Sequence, residues 1–584
     1  MLPQKHQLVM QQARALQSLV KQKPGGAARL AFAILYLWQR ESFPALVRCA
    51  PRPDKRIIRE PRAILFANWL SKSNLLDGAF WLSSAYALWV GEGVRTERAM
   101  FFTPPELSTH IIDDLVRNKA SLVHHVWMDP ACGGAAFLAP VAKRMASELH
   151  KRGMKSKAIL KHIAAHLIGN DIDPTLASMS RQFLRMVLCK EIMETGFEPR
   201  FEILKVDALL KIRHLDKRVD VVICNPPYRK MSAAEVSQYS KGYNDVIVGQ
   251  PNLYGLFFKL ALQLLRQGGV TGLVTPTSFM SGRHFSPLRT YLLKNADTMQ
   301  LDILTKRDGI FAEAALETVI SILKKQKPKA TSVHKTRVFA FGNARVFTSI
   351  GHCVLPNSGL AWPVPRAKGD AVAIRAVSGI PFRLKDYGYR VRIGAFVWNR
   401  DQRDTFRTTR GTSRSRALFP LIWSSDICQN GSLEFGRLQQ EDDSDKFVDM
   451  VQKDHSSVIC RPCVALQRVT SPEQPRRLVG APITRKFLQK YGGVVGENHV
   501  VFLEQVDSKP LLSPSQLALV LRSEPIDRIF RCIAGAINVS VFELNQLPLP
   551  NPQVLASLLR KGMNVDDAIR DAFRNQRGIC RPKA

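Results

Sequence analysis

Residues 219–231 read VDVVICNPPYRKM. The first six form a short apolar run rich in β-branched residues, the pattern of a strand buried on both faces. The run stops on an amide, two prolines and an aromatic ring. Prolines end a strand by removing backbone donors, but Asn225 and Tyr228 on either side of them carry reactive groups. Similar short runs flank this one: 123–129 VHHVWMD, 165–171 AHLIGND, 201–207 FEILKVD, 269–276 GVTGLVTP, 299–304 MQLDIL and 317–325 ETVISILKK, most of them separated by helical segments. Alternating strands and helices predict a mostly parallel sheet covered on both faces. The last two runs lie close together and can form an antiparallel hairpin on the sheet edge.

Ligands of open parallel sheets bind at the carboxyl ends of the strands, so the residues that follow each strand carry the functional reading. After the first comes DPACGGAAFL, 129–138, where Asp129-Pro130 ends the strand and Gly133-Gly134 allow a tight turn. Such a turn suits the amino-acid end of an adenosyl cofactor or a phosphate, and a plain strand-to-helix turn explains it as well. After the second comes Asp171, placed to accept hydrogen bonds from ribose hydroxyls. After the third come Asp207 and Ala208, where a carboxylate can accept from an adenine amino group. Each acid has a bland alternative as a surface or capping residue, but three at successive strand ends favour one nucleoside site. After the fourth comes Asn225-Pro226-Pro227-Tyr228. At residue usage near 5% each, a specified tetrapeptide arises by chance in about one of ~300 chains this long. The Asn225 side-chain oxygen and the Pro226 carbonyl are two acceptors held rigid by Pro227. They can bind both hydrogens of an exocyclic amino group and aim its lone pair at an electrophile. Tyr228 can stack on the base, which must leave a duplex to reach such a site.

These residues resemble the adenine-N6 DNA methyltransferases of restriction–modification systems, above all the gamma-type, TaqI-like group with its NPPY motif. The resemblance covers about residues 95–325 and extends more loosely to about 550. It implies a class I S-adenosylmethionine-dependent methyltransferase: an α/β fold with a Rossmann-like seven-stranded sheet, an N-terminal helical extension and a C-terminal α+β target-recognition domain. FFTPPELSTHIIDDL, 101–115, looks like the segment in which Thr103 and Pro104 touch S-adenosylmethionine. By the same resemblance Asp129, Ala131 and Gly133 hold its methionine part, Asp171 the ribose, Ile172 packs on the adenine, and Asp207 and Ala208 face that adenine. Asn225, Pro226, Pro227 and Tyr228 match the catalytic tetrad, and Phe311 the second aromatic against the flipped base, with a packing Phe as the competing reading. One departure is Gly133-Gly134-Ala135 where the family has Gly-Ser-Gly, which sets a methyl where backbone and cofactor come close.

The chain has 584 residues, enough for more than one domain, and is 45% hydrophobic, enough to bury sizeable cores. Lys+Arg 84 against Asp+Glu 49 gives a net charge of +35, which points to a polyanion. Nucleic acid is favoured over membrane, because the longest apolar runs, 29–38 and 79–90, are too short or interrupted to span a bilayer. The N-terminus lacks a signal-peptide pattern, and ten cysteines in this length do not make a disulfide framework. A cytoplasmic protein of a bacterium or archaeon, nucleoid-associated through DNA, is expected. Cys460-Arg-Pro-Cys463 has no second pair for a four-ligand zinc site, and no metal is expected.

The expected domains are a helical N-terminal extension (1–95), a methyltransferase domain (96–330) and a target-recognition, DNA-binding region (331–584), with the Lys-rich 324–330 as boundary. Residues 399–416, NRDQRDTFRTTRGTSRSR, interleave six arginines with Ser and Thr, which suits phosphates; a solvated loop explains it equally. Arg403, Arg407, Arg410, Arg468, Arg476 and Arg477 are the candidate contacts to phosphates or bases of double-stranded DNA. A cognate restriction endonuclease is a possible further partner. Three other readings compete: an RNA or protein-glutamine amino methyltransferase, a bifunctional nuclease–methyltransferase, and a catalytically inactive DNA-binding relative. The first is usually much shorter, the second would need an acidic nuclease cluster that residues 1–95 lack, and intact Asn225 and Tyr228 argue against the third.

Overall fold

Val219–Cys224 is a strand buried at every position, as its mostly apolar sequence predicts; the one acid, buried Asp220, accepts from Val126 N–H at 2.8 Å. A computed structural model describes residues 2–20, 25–304, 317–327, 335–342, 346–356, 358–409, 416–437, 445–450, 456–471, 474–534 and 538–576. They divide into two units, the first mostly residues 1–349 and the second mostly 350–584.

The first unit is built on a sheet of nine strands: β1 Trp127–Asp129, β2 Leu167–Asn170, β3 Glu202–Leu204, β4 Val219–Cys224, β5 Leu265–Pro276, β6 Ala296–Leu304, β7 Thr318–Lys325, β8 Lys335–Phe341 and β9 Phe347–Val354. Their order is β3-β2-β1-β4-β5-β7-β6-β8-β9. Strands β3, β2, β1, β4 and β5 pair in parallel, and β7 runs antiparallel to both β5 and β6. All seven apolar runs singled out in the sequence are strands. The order reverses at β1, since the chain builds outward to β3 on one side and resumes at β4 on the other. A crevice therefore opens at the carboxyl ends of β1 and β4.

Three expectations are corrected here. The β6–β7 pair is not an edge hairpin: β7 inserts between β5 and β6, and β6 carries β8 in parallel on its far side. The sheet thus has nine strands rather than seven, and Lys324–Lys325 are the last residues of β7, not a linker. The half-exposed pattern of β8 and β9 hid them, because neither has the apolar run of the central strands.

Residues 1–95 are helical, as expected, with helices at Leu2–Leu16, Gly26–Ser42, Pro61–Ser71 and Leu75–Trp89. They do not stand apart as an extension. Their buried Leu30, Trp38, Phe66 and Leu82 share one apolar core with Leu138, Phe183 and Val221 of the α/β layer. Trp38 packs on Phe183 with ring centroids 6.1 Å apart. Gln39 Nε2 donates to buried Gln182 Oε1 at 3.2 Å.

The second unit is α+β. Tyr389–Ile393, Val500–Gln505, Cys463–Gln467 and Gly480–Ile483 form one antiparallel sheet of four strands. A second four-stranded sheet holds Thr405–Phe406, Phe447–Asp449, Leu418–Ile422 and Val495–Gly496. Helices Pro514–Arg522, Glu524–Ile533, Pro552–Arg560 and Val565–Gln576 pack against the first sheet through Leu517, Leu521, Phe530 and Ile569. Of the CxxC pair, Cys463 is buried in its strand and Cys460 is exposed; both are free thiols.

Candidate active site

The crevice at the sheet reversal is a cleft of ≈ 360 Å³, within the range of small-molecule sites. Asp129, Ala131, Gly133, Asp171, Ile172, Asp207, Ala208, Asn225 and Thr103 all line it. Residues scattered over more than a hundred positions therefore meet because each follows a strand or precedes the first.

The glycine turn and the second-strand acid are tied together. Gly133 N–H donates to Asp171 Oδ2 at 2.8 Å, and Asp173 N–H to Asp171 Oδ1 at 2.8 Å. Each Asp171 oxygen keeps a further lone pair. Burial pushes the Asp171 carboxyl up to about 6. Asp129 is fully buried, accepts from Ala131 N–H at 3.0 Å, and its pKa is pushed up by burial. Gly133 has φ +52° and an added Cβ would lie 3.0 Å from the Phe102 ring, so a side chain there is disfavoured on both counts. Ala135, the departure from the family's glycines, takes φ +58° with its methyl buried. That is a strained conformation for a residue with a Cβ.

Gly134 has a different purpose from its neighbour. A Cβ there would sit 1.8 Å from Ser83 Oγ on the helix Leu75–Trp89. Its bareness admits the N-terminal helix, not a ligand.

Asp207 caps the short helix Ala208–Lys211 through Leu209 N–H at 3.0 Å and accepts from the Tyr239 hydroxyl at 2.8 Å. Ile172 is 60% exposed, a large apolar side chain left bare on the cleft wall.

Asn225 follows β4 with its amide held at both ends. Nδ2 donates to Thr103 Oγ1 at 3.0 Å and to Phe101 O at 3.4 Å. Oδ1 accepts from the Tyr228 hydroxyl, which also reaches Val274 O at 2.8 Å. The Tyr228 ring stands edge-on to Tyr254, centroids 6.1 Å apart, and burial holds its hydroxyl protonated far above the ordinary range. Tyr254 in turn stacks on Phe285 at 5.2 Å and bonds Ser278 Oγ at 2.8 Å. The loop after Tyr228 is pinned by Met231 N–H to Pro251 O at 3.0 Å and Leu253 N–H to Arg229 O at 2.8 Å. Pro227 lines the cleft, whereas Pro226 is buried. Pro104 begins the helix Pro105–Arg117 as its N-cap.

Sequence reasoning missed Glu97, Arg98 and Met100, which form a wall of the cleft, and Tyr239 and Phe257, which complete it; they carry no motif, and only the fold brings them there. Phe101 and Phe102 also line it, from the segment 101–115 singled out in the sequence, though no role was assigned to them. Phe311 and Arg410 lie outside the described residues.

The proposed arginines divide by burial. Arg477 is only 2% exposed and donates to Thr470 O, so it is a structural group and its assignment to DNA is corrected. Arg403 is held by Asp401 and lies 5.7 Å over the Phe396 ring. Arg468 donates to Asn498 O at 2.8 Å and Arg476 to Arg522 O at 3.1 Å, both half-buried. Arg407 is exposed.

Among the described residues one trio has metal-ligand spacing, His110, Asp114 and Asp302. Its members bond one another, His110 Nε2 lying 3.0 Å from each carboxylate, with Gln300 and Arg117 on the remaining oxygens. The His110 ring stacks on Phe347 at 3.8 Å. The trio joins a helix to β6 and does not line the cleft. Among the described residues no helix is long and apolar enough to cross a membrane.

Residues 154–311 match the family described as Eco57I restriction-modification methylase. The chain is similar to the Type II methyltransferase M.BsuBI of Bacillus subtilis, 24% identical over 354 residues, 59% of this chain and 67% of the relative. It is also similar to the Type II methyltransferase M.PstI of Providencia stuartii, 25% identical over 362 residues, 60% of this chain and 68% of the relative. Among solved structures, the type IIL restriction-modification enzyme MmeI in complex with DNA aligns with TM-score 0.56 and 12% identity over 97% of this chain and 90% of that chain. At that identity the likeness is one of fold. With the strand order above, it gives the chain the class I S-adenosylmethionine-dependent methyltransferase fold, and the sequence matches are to restriction–modification methyltransferases.

Proposed function

We propose that the chain is a site-specific DNA methyltransferase that methylates the exocyclic amino group of adenine, as part of a restriction–modification or related defence system. The observation that carries this reading is Asn225 at the carboxyl end of β4, its amide oriented by Thr103 and Tyr228 beside a nucleoside-sized cleft. S-adenosylmethionine, when bound, supplies an electrophilic methyl group.

The residues present fit that cofactor. Asp171 retains acceptor capacity for ribose hydroxyls, Asp207 can accept from an adenine amino group, and bare Ile172 offers an apolar face for the ring. Gly133 leaves backbone open to the methionine end, with Thr103, Asp129 and Ala131 around it and Pro104 fixing Thr103 from behind, and Ala208 stands with Asp207 on the adenine side.

The Asn225 Oδ1 has two lone pairs, and Tyr228 uses one. The other, with the Pro226 carbonyl, accepts the two amino hydrogens of the target adenine. The nitrogen lone pair is thereby aimed at the methyl group. These groups act by position and electrostatics, and the amine proton leaves to solvent. The target base reaches the site by leaving the duplex, which costs a few kcal/mol of unstacking. The Tyr228 ring, fixed by its hydroxyl, offers the stacking surface. The second unit, with Arg407, Arg468 and Arg476 among its cations, is the target-recognition half. Double-stranded DNA is the partner, and a cognate nuclease is a possible further one.

Single-molecule sequencing of DNA from a methylation-free host expressing this chain tests the reading. The expected result is a modified adenine in one sequence context, lost with Asn225→Ala while DNA binding survives. Full modification by the Asn225→Ala variant would sink the mechanism.

A further inference from the structure

We propose that Thr103 is a positioning residue for Asn225: its hydroxyl holds the catalytic amide in the orientation that the Phe101 carbonyl selects, beyond any contact it makes with the cofactor. This rests on the adenine methyltransferase reading above.

An asparagine amide presents an oxygen or an NH2 group according to a half-turn about one bond. Only one choice leaves the acceptor where an amino group can donate to it. Two groups of the segment 101–103 hold the amide here: the Phe101 carbonyl, which can only accept, selects the turn, and the Thr103 hydroxyl secures it. Thr103 Oγ1 and Phe101 O lie 3.0 and 3.4 Å from Asn225 Nδ2, one acceptor for each amide hydrogen. A flipped amide would set Oδ1 against the Phe101 carbonyl, two acceptors with no proton between them. The Tyr228 hydroxyl then meets Oδ1 on the other side.

Of the two acceptors on the NH2 end, Thr103 makes the shorter bond. It is 2% exposed and precedes Pro104 and Pro105, which open the helix Pro105–Arg117, so it has little freedom to move. Phe101 O alone, at 3.4 Å, is a weak restraint. In accepting from Asn225, the Thr103 hydroxyl keeps its own proton for an acceptor in the cleft it lines. The segment upstream of β1 thus touches both the cofactor side and the target side of the site.

The test compares Thr103→Val, which keeps the shape and removes the hydroxyl, with Thr103→Ser, which keeps the hydroxyl. Methyl transfer to DNA is measured while S-adenosylmethionine is titrated to saturation, with unfolding midpoints recorded for each variant. Expected for Thr103→Val is a kcat at saturating cofactor lowered roughly 10- to 100-fold, the scale of a misplaced reacting group. Thr103→Ser should restore kcat to within about threefold, on that same scale. A Thr103→Val enzyme with raised KM for the cofactor and unchanged saturated kcat would overturn the inference and leave a cofactor contact only. Equal losses in both variants would overturn it too, because the hydroxyl would then not be the active feature. If the unmodified chain methylates no adenine, the functional reading fails separately. The position of the Asn225 side chain is then compared in crystal structures of the chain and its Thr103→Val variant. An unchanged Asn225 amide in the variant would overturn the inference on its own.

Discussion

Asp171 and Asp173 stand two positions apart and differ in what surrounds them. Asp173 caps the helix Pro174–Val187 through Thr175 and Leu176 N–H and also binds the Tyr86 hydroxyl and Arg98. Its oxygens are spent on structure. Asp171 holds two backbone N–H groups and faces the cleft with capacity to spare. The sequence placed Asp171 at the strand end because the run before it stops there, but nothing in Asp-Ile-Asp-Pro says that Tyr86, on the helix Leu75–Trp89, and Arg98, at the end of the short helix Glu92–Arg98, occupy the second acid. Burial raises the Asp171 carboxyl to about 6, so its ionisation opposes folding, with a cost that grows from the ordinary carboxylate range up to about that pH. At pH 7 it is an acceptor. As pH falls through about 6 it takes a proton and loses acceptor capacity for ribose hydroxyls. Calorimetry across pH 5–8 should therefore show the dissociation constant for S-adenosylmethionine rising as pH drops below about 6. The Asp171→Asn variant should bind more weakly at pH 7 and show no step there. An unchanged constant in that variant would refute the ribose assignment.

At the scale of elements, the strands were legible and their neighbours were not. A buried central strand writes itself as a continuous apolar run, which is why β1, β2 and β4–β7 and the residues at their ends could be read directly. β8 and β9 sit at an edge with half-exposed faces, so their pattern carries little signal. The helix Leu75–Trp89 was legible as a helix, but not as the element that packs on the glycine turn. Its Ser83, bonded to Ala79 O at 2.8 Å, approaches Gly134 so closely that a methyl has no space. Gly134→Ala is expected to cost about 1–3 kcal/mol by overpacking. Urea titration should show a lower midpoint with an unchanged slope. Ser83→Gly in the same chain should recover part of the loss, because it removes the clashing hydroxymethyl from the other side. A Gly134→Ala chain as stable as the parent would mean that the helix shifts freely, and that the N-terminal helices are not bound rigidly to the cofactor turn.

For the molecule as a whole, the one property visible before any motif is charge. A net charge of +35 belongs to the whole chain, and composition cannot say which cations meet a polyanion and which hold the fold. The assignment of Arg477 failed at that point. Arg477 looked like its neighbours in sequence but is buried against Thr470 O, while Arg407 is exposed. Binding to duplex DNA should release counterions, so the logarithm of affinity should fall linearly with the logarithm of salt. With 6–10 phosphate contacts the loss between about 50 and 200 mM salt is on the order of 10³–10⁵. Arg407→Ala should weaken binding evenly across sequences and reduce the slope by about 1, the signature of one lost phosphate contact. Arg477→Ala should leave the slope alone and lower the unfolding midpoint, since it would strip a buried carbonyl of its donor. Filter binding over a salt series, run on the parent chain and both variants, separates the two classes of arginine. A flat titration of the parent chain would contradict the DNA-binding role of this charge, because a complex held by phosphate contacts cannot be indifferent to the ions it displaces.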